Sequence, residues 1–445
     1  MPKRVYVVSL GCAKNLTDSE VMVGALEQSG YNLTENIEQA DFALINTCAF
    51  IQDAIEESVQ EILQIAQHKE DNSGLKIVVA GCLAQRYSEE LKEELAEVDA
   101  FVGTTRYGDI VEVFDRLSAE DKVLFVDEDH CIAQTEVRTI LTKLPTAYLK
   151  ISEGCSRKCT YCVIPQLRGP YKSKAEEDLL KEARDLVARG VTELILVAQD
   201  ITLYGIDRYR EKRIASLLRQ LDKIEGLKWI RLLYAYPEGL DEDIIDAMAQ
   251  SEKVVPYIDM PLQHVNDRLL KQMGRTTTKE KIIDIYELLK AKMPDIVLRT
   301  TLITGFPGEA EEDVKEVLSF IRDYPFDKLG VFTYSQEEGT PAAQMSGQLS
   351  EAVKQARRSK IMRAQQKNAK KINRSFVGLK TEALICDKID DRHYLARTYR
   401  DAPGVDGAML LTSDSLLEEG QYHWCEITSA DEYDMTGIVL HEHCK

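Results

Sequence analysis

Short apolar runs recur along the chain, each closed by turn residues and followed by a stretch with helical spacing. Val5-Tyr6-Val7-Val8-Ser9-Leu10 runs into Gly11-Cys12, Phe42-Ala43-Leu44-Ile45 into Asn46-Thr47-Cys48, and Lys76-Ile77-Val78-Val79-Ala80 into Gly81-Cys82. The spacing between them predicts helices over 17–29, 51–67 and 88–94. Strands alternating with helices in this way predict a parallel α/β sheet. Six further strands are predicted at 147–151, 193–197, 229–234, 254–259, 297–304 and 328–334. Amphipathic stretches at 176–188, 214–224, 242–248, 281–290 and 311–321 fall between them. Six such units predict a partial (β/α)6 barrel, short of a closed eight-stranded one. The segment 350–373 reads as one long helix. Five short strands (382–386, 393–397, 407–411, 422–428 and 437–440) then separate turn-rich segments and predict a small antiparallel β-barrel. The fold class expected is α/β with three domains, at 1–140, 141–375 and 376–445.

This pattern decides where the chemistry sits. In open parallel sheets and in barrels, ligand sites lie beyond the carboxyl ends of the strands. Cys12, Cys48 and Cys82 each occupy such an end, so they can converge although 36 and 34 residues separate them. A second set, Cys155, Cys159 and Cys162, lies in the loop leaving strand 147–151. Iron–sulfur cubanes are usually held by four thiolates, so three leave one iron open to a substrate or cofactor. Structural zinc prefers four closed ligands, commonly from two Cys-x2-Cys knuckles, and no second knuckle follows. Buried structural thiols, or a zinc-binding scaffold without activity, are the other readings. Cys131 lacks the strand-end placement and stands outside both sets. The tail His441-Glu442-His443-Cys444 reads as a loose end.

Composition narrows the class further. The 445 residues carry a formal charge of −19, which disfavours general nucleic-acid binding and suits a basic partner. No apolar run reaches the ~18 residues of a membrane span, and the first apolar run is too short for a signal peptide. Ten cysteines without a compact disulfide framework fit a reducing cytoplasm. Two local departures matter. Between 352 and 374 nine basic residues occur with no acidic one. That helix either meets RNA phosphates or packs on acidic neighbours. In 376–445, six basic residues face fourteen acidic ones, which repels phosphate and attracts a cationic protein.

Cys155-x3-Cys159-x2-Cys162, with Tyr161 before the last cysteine, resembles the radical S-adenosylmethionine (SAM) signature. The resemblance implies an open iron that chelates SAM, whose reductive cleavage yields a 5′-deoxyadenosyl radical. Ser9-Leu10-Gly11-Cys12-Ala13-Lys14-Asn15, with Asp18-Ser19-Glu20 following, resembles the opening of the methylthiotransferases. Those enzymes carry a second 4Fe-4S cluster on three N-terminal cysteines, matched here by Cys12, Cys48 and Cys82. The Leu-Gly-Cys-x-Lys-Asn form is similar to the branch that acts on the ribosome; the transfer-RNA branch typically has Gly-Cys-Gln-x-Asn. Residues 376–445 resemble a TRAM domain. The resemblance thus implies two 4Fe-4S clusters and SAM. It also implies methylthiolation of an aspartate β-carbon in small-subunit ribosomal protein twelve, with methylthiolation of adenosine in transfer RNA as the alternative. An electron donor and a sulfur source are required, and the 352–374 helix is placed to touch ribosomal RNA. Tyr161, Gln199 and Arg299 are the candidate SAM contacts, with Asp200 and Gln263 further polar candidates at the same mouth. Arg299 faces the ribose or carboxylate, or else a salt bridge inside the barrel. Ala198-Gln199-Asp200 stands where many members have Gly-Gly-Glu. His264 reads as a proton carrier or as structural.

Overall fold

The computed structural model describes residues 2–118, 122–127 and 137–440; Cys131 and the 441–444 tail lie outside them. The N-terminal sheet has six parallel strands in the order Asn32–Leu33, Arg4–Ser9, Phe42–Thr47, Lys76–Gly81, Ala100–Val102, Val123–Phe125. The three apolar runs form its centre. The three additional strands are only two or three residues long, too short to show a period of their own. From Arg4–Ser9 the chain first turns to one side of the sheet, then crosses to Phe42–Thr47 on the other. That reversal opens a crevice at the carboxyl ends of these two strands, and Cys12 and Cys48 follow directly from them.

Two helices start earlier than their spacing predicts. Helix Ala13–Gln28 begins immediately after Cys12, because its first turns bury polar residues: Lys14, Asn15, Thr17, Asp18, Ser19 and Glu20. A buried polar face hides a helix from any reading of apolar period. Helix Cys82–Glu94 opens on the cysteine itself and kinks at Tyr87 (φ −134°, ψ 24°), where the amphipathic pattern takes over.

The central sheet has six parallel strands in chain order: Thr146–Lys150, Glu193–Val197, Trp229–Leu232, Val254–Asp259, Val297–Thr304 and Lys328–Thr333. Sequential order with a helix after nearly every strand is the arrangement of a partial barrel. Leu149, Leu194, Leu196, Ile230, Leu298 and Val331 face the helices. Ile195, Val197, Trp229, Tyr257 and Val297 face inward and pack on Leu384 and Ala402 of the C-terminal barrel.

That barrel is closed by Lys380–Lys388, His393–Thr398, Met409–Thr412, Met435–Val439 and Tyr422–Ala430, with one parallel pairing, Met409–Thr412 on Met435–Val439. Buried ion pairs seat it. Arg397 meets Glu193 at 2.6 Å, and Glu193 also receives Arg231 at 3.2 Å. Arg400 meets Asp327 at 2.9 Å. Helix Glu351–Arg374 links the two units and packs on Lys328–Thr333 and Glu311–Asp323. Among the described residues no helix is long and apolar enough to cross a membrane.

Candidate functional site

The three N-terminal cysteines meet in the crevice. Cys12 caps the helix Ala13–Gln28 and Cys82 opens its own helix. A Cβ on Gly11 would lie 2.7 Å from Cys48 Cβ and 3.1 Å from its Sγ. Asn15 reaches across the group, with Oδ1 3.8 Å from Cys82 Sγ and Nδ2 donating to the carbonyls of Thr47 (2.8 Å) and Leu10 (3.1 Å). Burial pushes the Cys48 thiol up and the Cys82 thiol to about 12. Burial acts on Cys12 too, but Lys14, Arg168 and the backbone N–H groups of Asn15 and Lys14 outweigh it and lower its pKa. A thiolate at a helix N-terminus beside cations is the expected product of that geometry.

The second set lies at the mouth of the central sheet. Cys155 is buried, Cys159 and Cys162 partly so. Their loop is braced from behind: Cys155 N–H donates to the Gly169 carbonyl (2.9 Å), Thr160 N–H to Met273 (3.0 Å), and Ala342 N–H to Thr160 (2.9 Å). Gly274, at φ +73°, leaves no room for a side chain, since its Cβ would sit 2.3 Å from the Lys158 carbonyl oxygen. Burial pushes Cys162 up to about 12.

The implied cofactor contacts divide. Tyr161 packs on Leu269, Met273 and Phe306, with its phenol beside Cys159. Gln199 donates from Nε2 to Glu153 Oε1 at 2.9 Å, and its own Oε1 is buried without a hydrogen-bond partner. Arg299 is paired, at 2.7 Å to Asp259 and 3.5 Å to Asp406 of the C-terminal barrel. The internal salt bridge is therefore the arrangement present, and its guanidinium braces the barrel's seat. Asp200 accepts from Thr202 N–H at 3.0 Å and pairs with Arg157 at 2.6 Å. His264 accepts from Asn266 N–H and sits 3.4 Å from Glu309, both structural contacts.

Gln263, a polar candidate from its strand-end position, shares the mouth with Arg275, which carries no sequence signal. Arg275 holds Glu238 through two contacts (2.5 and 2.8 Å) and stacks 4.3 Å from the Tyr236 ring centre, while one of its terminal nitrogens, Nη1, is buried without a partner. Tyr234 and Gln263 have φ of +63° and +70°. Such strained backbone persists only where surroundings impose it, commonly at ligand sites. Of the buried cations near the two sets, Lys150 alone sits inside an apolar run, 147–151, where a charge stands out.

The two domains that carry the sets pack on each other. Lys14 Nζ lies 3.5 Å from the Tyr234 ring centre, Arg86 pairs with Glu337 at 2.9 Å, and Val163 and Leu167 enter the N-terminal core. A buried network of Lys150, Asp18, Glu153 and Arg168 crosses between them.

Comparison with known proteins follows the same three parts. The model for the uncharacterized protein family UPF0004 matches residues 4–103, that of the radical SAM superfamily 149–321, and that of the TRAM domain 377–440. Solved structures include the radical SAM methyltransferase TsrM from Kitasatospora setae (TM-score 0.54, 14% identity, 77% of each chain). The cobalamin-dependent radical enzyme OxsB also matches, with TM-score 0.51 and 16% identity over 77% of this chain and 54% of that one. These likenesses are of fold. The radical SAM match over 149–321, where the cysteine loop lies, gives the class: this is a radical SAM enzyme. Relatives named ribosomal protein uS12 methylthiotransferase RimO are 45% identical in Acetivibrio thermocellus, over 100% of both chains. The one in Clostridioides difficile is 43% identical over 99% of both. The chain belongs to the RimO methylthiotransferase family.

Proposed function

We propose that this chain adds a methylthio group to the β-carbon of an aspartate in ribosomal protein uS12, protein twelve of the small subunit. The observation that carries this reading is the pair of three-cysteine sets, each following the carboxyl ends of its own sheet, in two domains joined by a buried ion network. Two 4Fe-4S clusters and SAM are the cofactors of this class. Cys155, Cys159 and Cys162 would hold one cluster, and Cys12, Cys48 and Cys82 the other. What supports the fit is that the thiols of each set lie near enough for their charges to act on one another, that glycines at 11 and 274 keep side chains away, and that Gln199 Oε1 and Arg275 Nη1 are buried polar atoms without partners. When bound, these groups supply the radical that breaks an unactivated C–H bond and the methylthio group that replaces the hydrogen.

The chain's own work is positioning and exclusion of water. Gln199 and Arg275 offer an acceptor and a donor to a polar cofactor, and Tyr161 closes the apolar side of the loop. Arg299, engaged by Asp259 and Asp406, orders the floor beneath.

A protein target is supported by the C-terminal barrel, with six basic against fourteen acidic residues over 376–445. The linking helix sorts its cations. Lys354, Arg357, Lys360 and Lys370 pair with acids, and Arg358 donates to the Val331 carbonyl. Arg363, Lys367, Lys371 and Arg374 are exposed and make no ion pair among the described residues. Spaced by four, four and three, they share one helix face, which suits ribosomal RNA phosphates beside the target protein. Electrons and sulfur come from outside the chain.

Mass spectrometry tests the reading. Small subunits are incubated anaerobically with enzyme, SAM, reductant and sulfide. One methylthio group on a uS12 aspartate is expected, absent when SAM or reductant is withheld. Modified adenosine in transfer RNA with unmodified uS12 would overturn it.

A further inference from the structure

Arg168 ends the short helix Ile164–Arg168 that follows Cys162, and it is 3% exposed. Its guanidinium points out of its own loop and into the N-terminal crevice. Nη1 donates to Asp18 Oδ2 and to both Glu153 oxygens, each at 3.0 Å, and Nη2 donates to Asn15 Oδ1. Asn15 is the residue that reaches Cys82 Sγ and holds the carbonyls of Leu10 and Thr47, just ahead of Gly11-Cys12 and Cys48. Glu153 immediately precedes Gly154-Cys155. One side chain thus touches the frame of both cysteine sets.

Charge makes the placement informative. Arg168 and Lys150 balance Asp18 and Glu153, so the network is neutral as a whole. The charges are not mixed evenly, because the Arg168 guanidinium shares Asn15 Oδ1 with Cys82 Sγ and so lies on the thiol side of the network. A buried ion network is weak support for stability, since well-packed apolar residues often do as well. A location beside three thiols gives it another use. Potentials of iron–sulfur clusters are set by net charge, hydrogen bonds and solvent exposure. A fixed cation in a dry site stabilises the more negative, reduced state.

We propose that Arg168 is a positioning residue of the N-terminal site: it holds Asn15 against Cys82 and sets the potential of the cluster on Cys12, Cys48 and Cys82 by its fixed charge. This rests on the reading of those cysteines as cluster ligands.

The test uses the full chain with Cys155, Cys159 and Cys162 all changed to Ala, so that only the N-terminal cluster remains. About four irons per chain are expected; their absence in this parent would overturn the ligand reading and the proposal with it, an outcome distinct from an unchanged potential in a loaded variant. In this background the midpoint potential is measured by redox titration followed by electron paramagnetic resonance. Arg168→Gln should move the potential to more negative values while iron content holds, and Arg168→Lys should restore it towards the parent value. An unchanged potential in Arg168→Gln with iron intact would overturn the proposal. If Arg168→Gln loses its iron, Glu153→Gln decides, because it removes the neighbouring anion and keeps the cation. A shift to less negative potential supports the proposal, and no shift or a negative one overturns it.

Discussion

Gly11 has a φ of +86°, and the turn it makes presents Cys12 to Cys48 with no space for a side chain between them. Gly11→Ala should strain the turn by about 1–3 kcal/mol. It should also empty the N-terminal site while leaving the barrel site loaded. Iron and sulfide analysis of the anaerobically reconstituted variant checks this; full iron content would contradict it. At this scale the cysteines were legible, because loop spacing and strand-end position are written locally in the chain. Arg168 was not: it meets Asp18 150 residues away, and nothing near Arg168 in sequence announces that contact. Arg299 shows the same limit. A lone charge in an apolar strand reads as a SAM contact or as half of a salt bridge, and its ion-pair partners, Asp259 and Asp406 of a separate barrel, lie far from it in sequence.

Elements with ordinary amphipathic patterns were read nearly to their ends. The strands Glu193–Val197, Val254–Asp259 and Val297–Thr304 match their apolar runs residue for residue. Helix Ala13–Gln28 departs from its pattern because its opening turns carry the polar residues of the site inward. A polar interior reads as a loop when only apolar period is followed, so function itself obscured this element. The helix Glu351–Arg374 poses the opposite problem. Its nine cations look alike in sequence, and only packing separates the engaged ones from Arg363, Lys367, Lys371 and Arg374. Replacing Lys367 and Lys371 together by Glu should weaken binding to the small ribosomal subunit. The slope of log affinity against log salt should also fall by roughly 1–2. Titrations at several salt concentrations check it, and an unaltered slope would remove RNA phosphate from the picture.

For the whole molecule, the seat of the C-terminal barrel on the central sheet concentrates in few contacts. Glu193 accepts Arg397, Arg231 and Thr146 at zero exposure. Removing one partner of a buried pair leaves the other charge stranded, so Glu193→Ala should cost about 3–5 kcal/mol in denaturant unfolding. Burial alone would raise the Glu193 pKa, yet Arg397 and Arg231 outweigh it and hold it below its ordinary 4.5. A depressed carboxyl stabilises the fold fully above that value and loses the contribution as pH falls towards its folded pKa. The stability gap between the parent and Glu193→Gln should therefore be constant above pH 4.5 and narrow below it. A gap that widens on acidification would contradict the assignment.

The two three-cysteine sets bear most of the functional reading, and metal content measures them directly. Anaerobically reconstituted parent protein should hold about eight irons per chain with matching sulfide. Changing Cys12, Cys48 and Cys82 to Ala should leave about four, and changing Cys155, Cys159 and Cys162 instead should also leave about four. Iron undiminished by the first triple change, or zinc without sulfide in the parent, would contradict it.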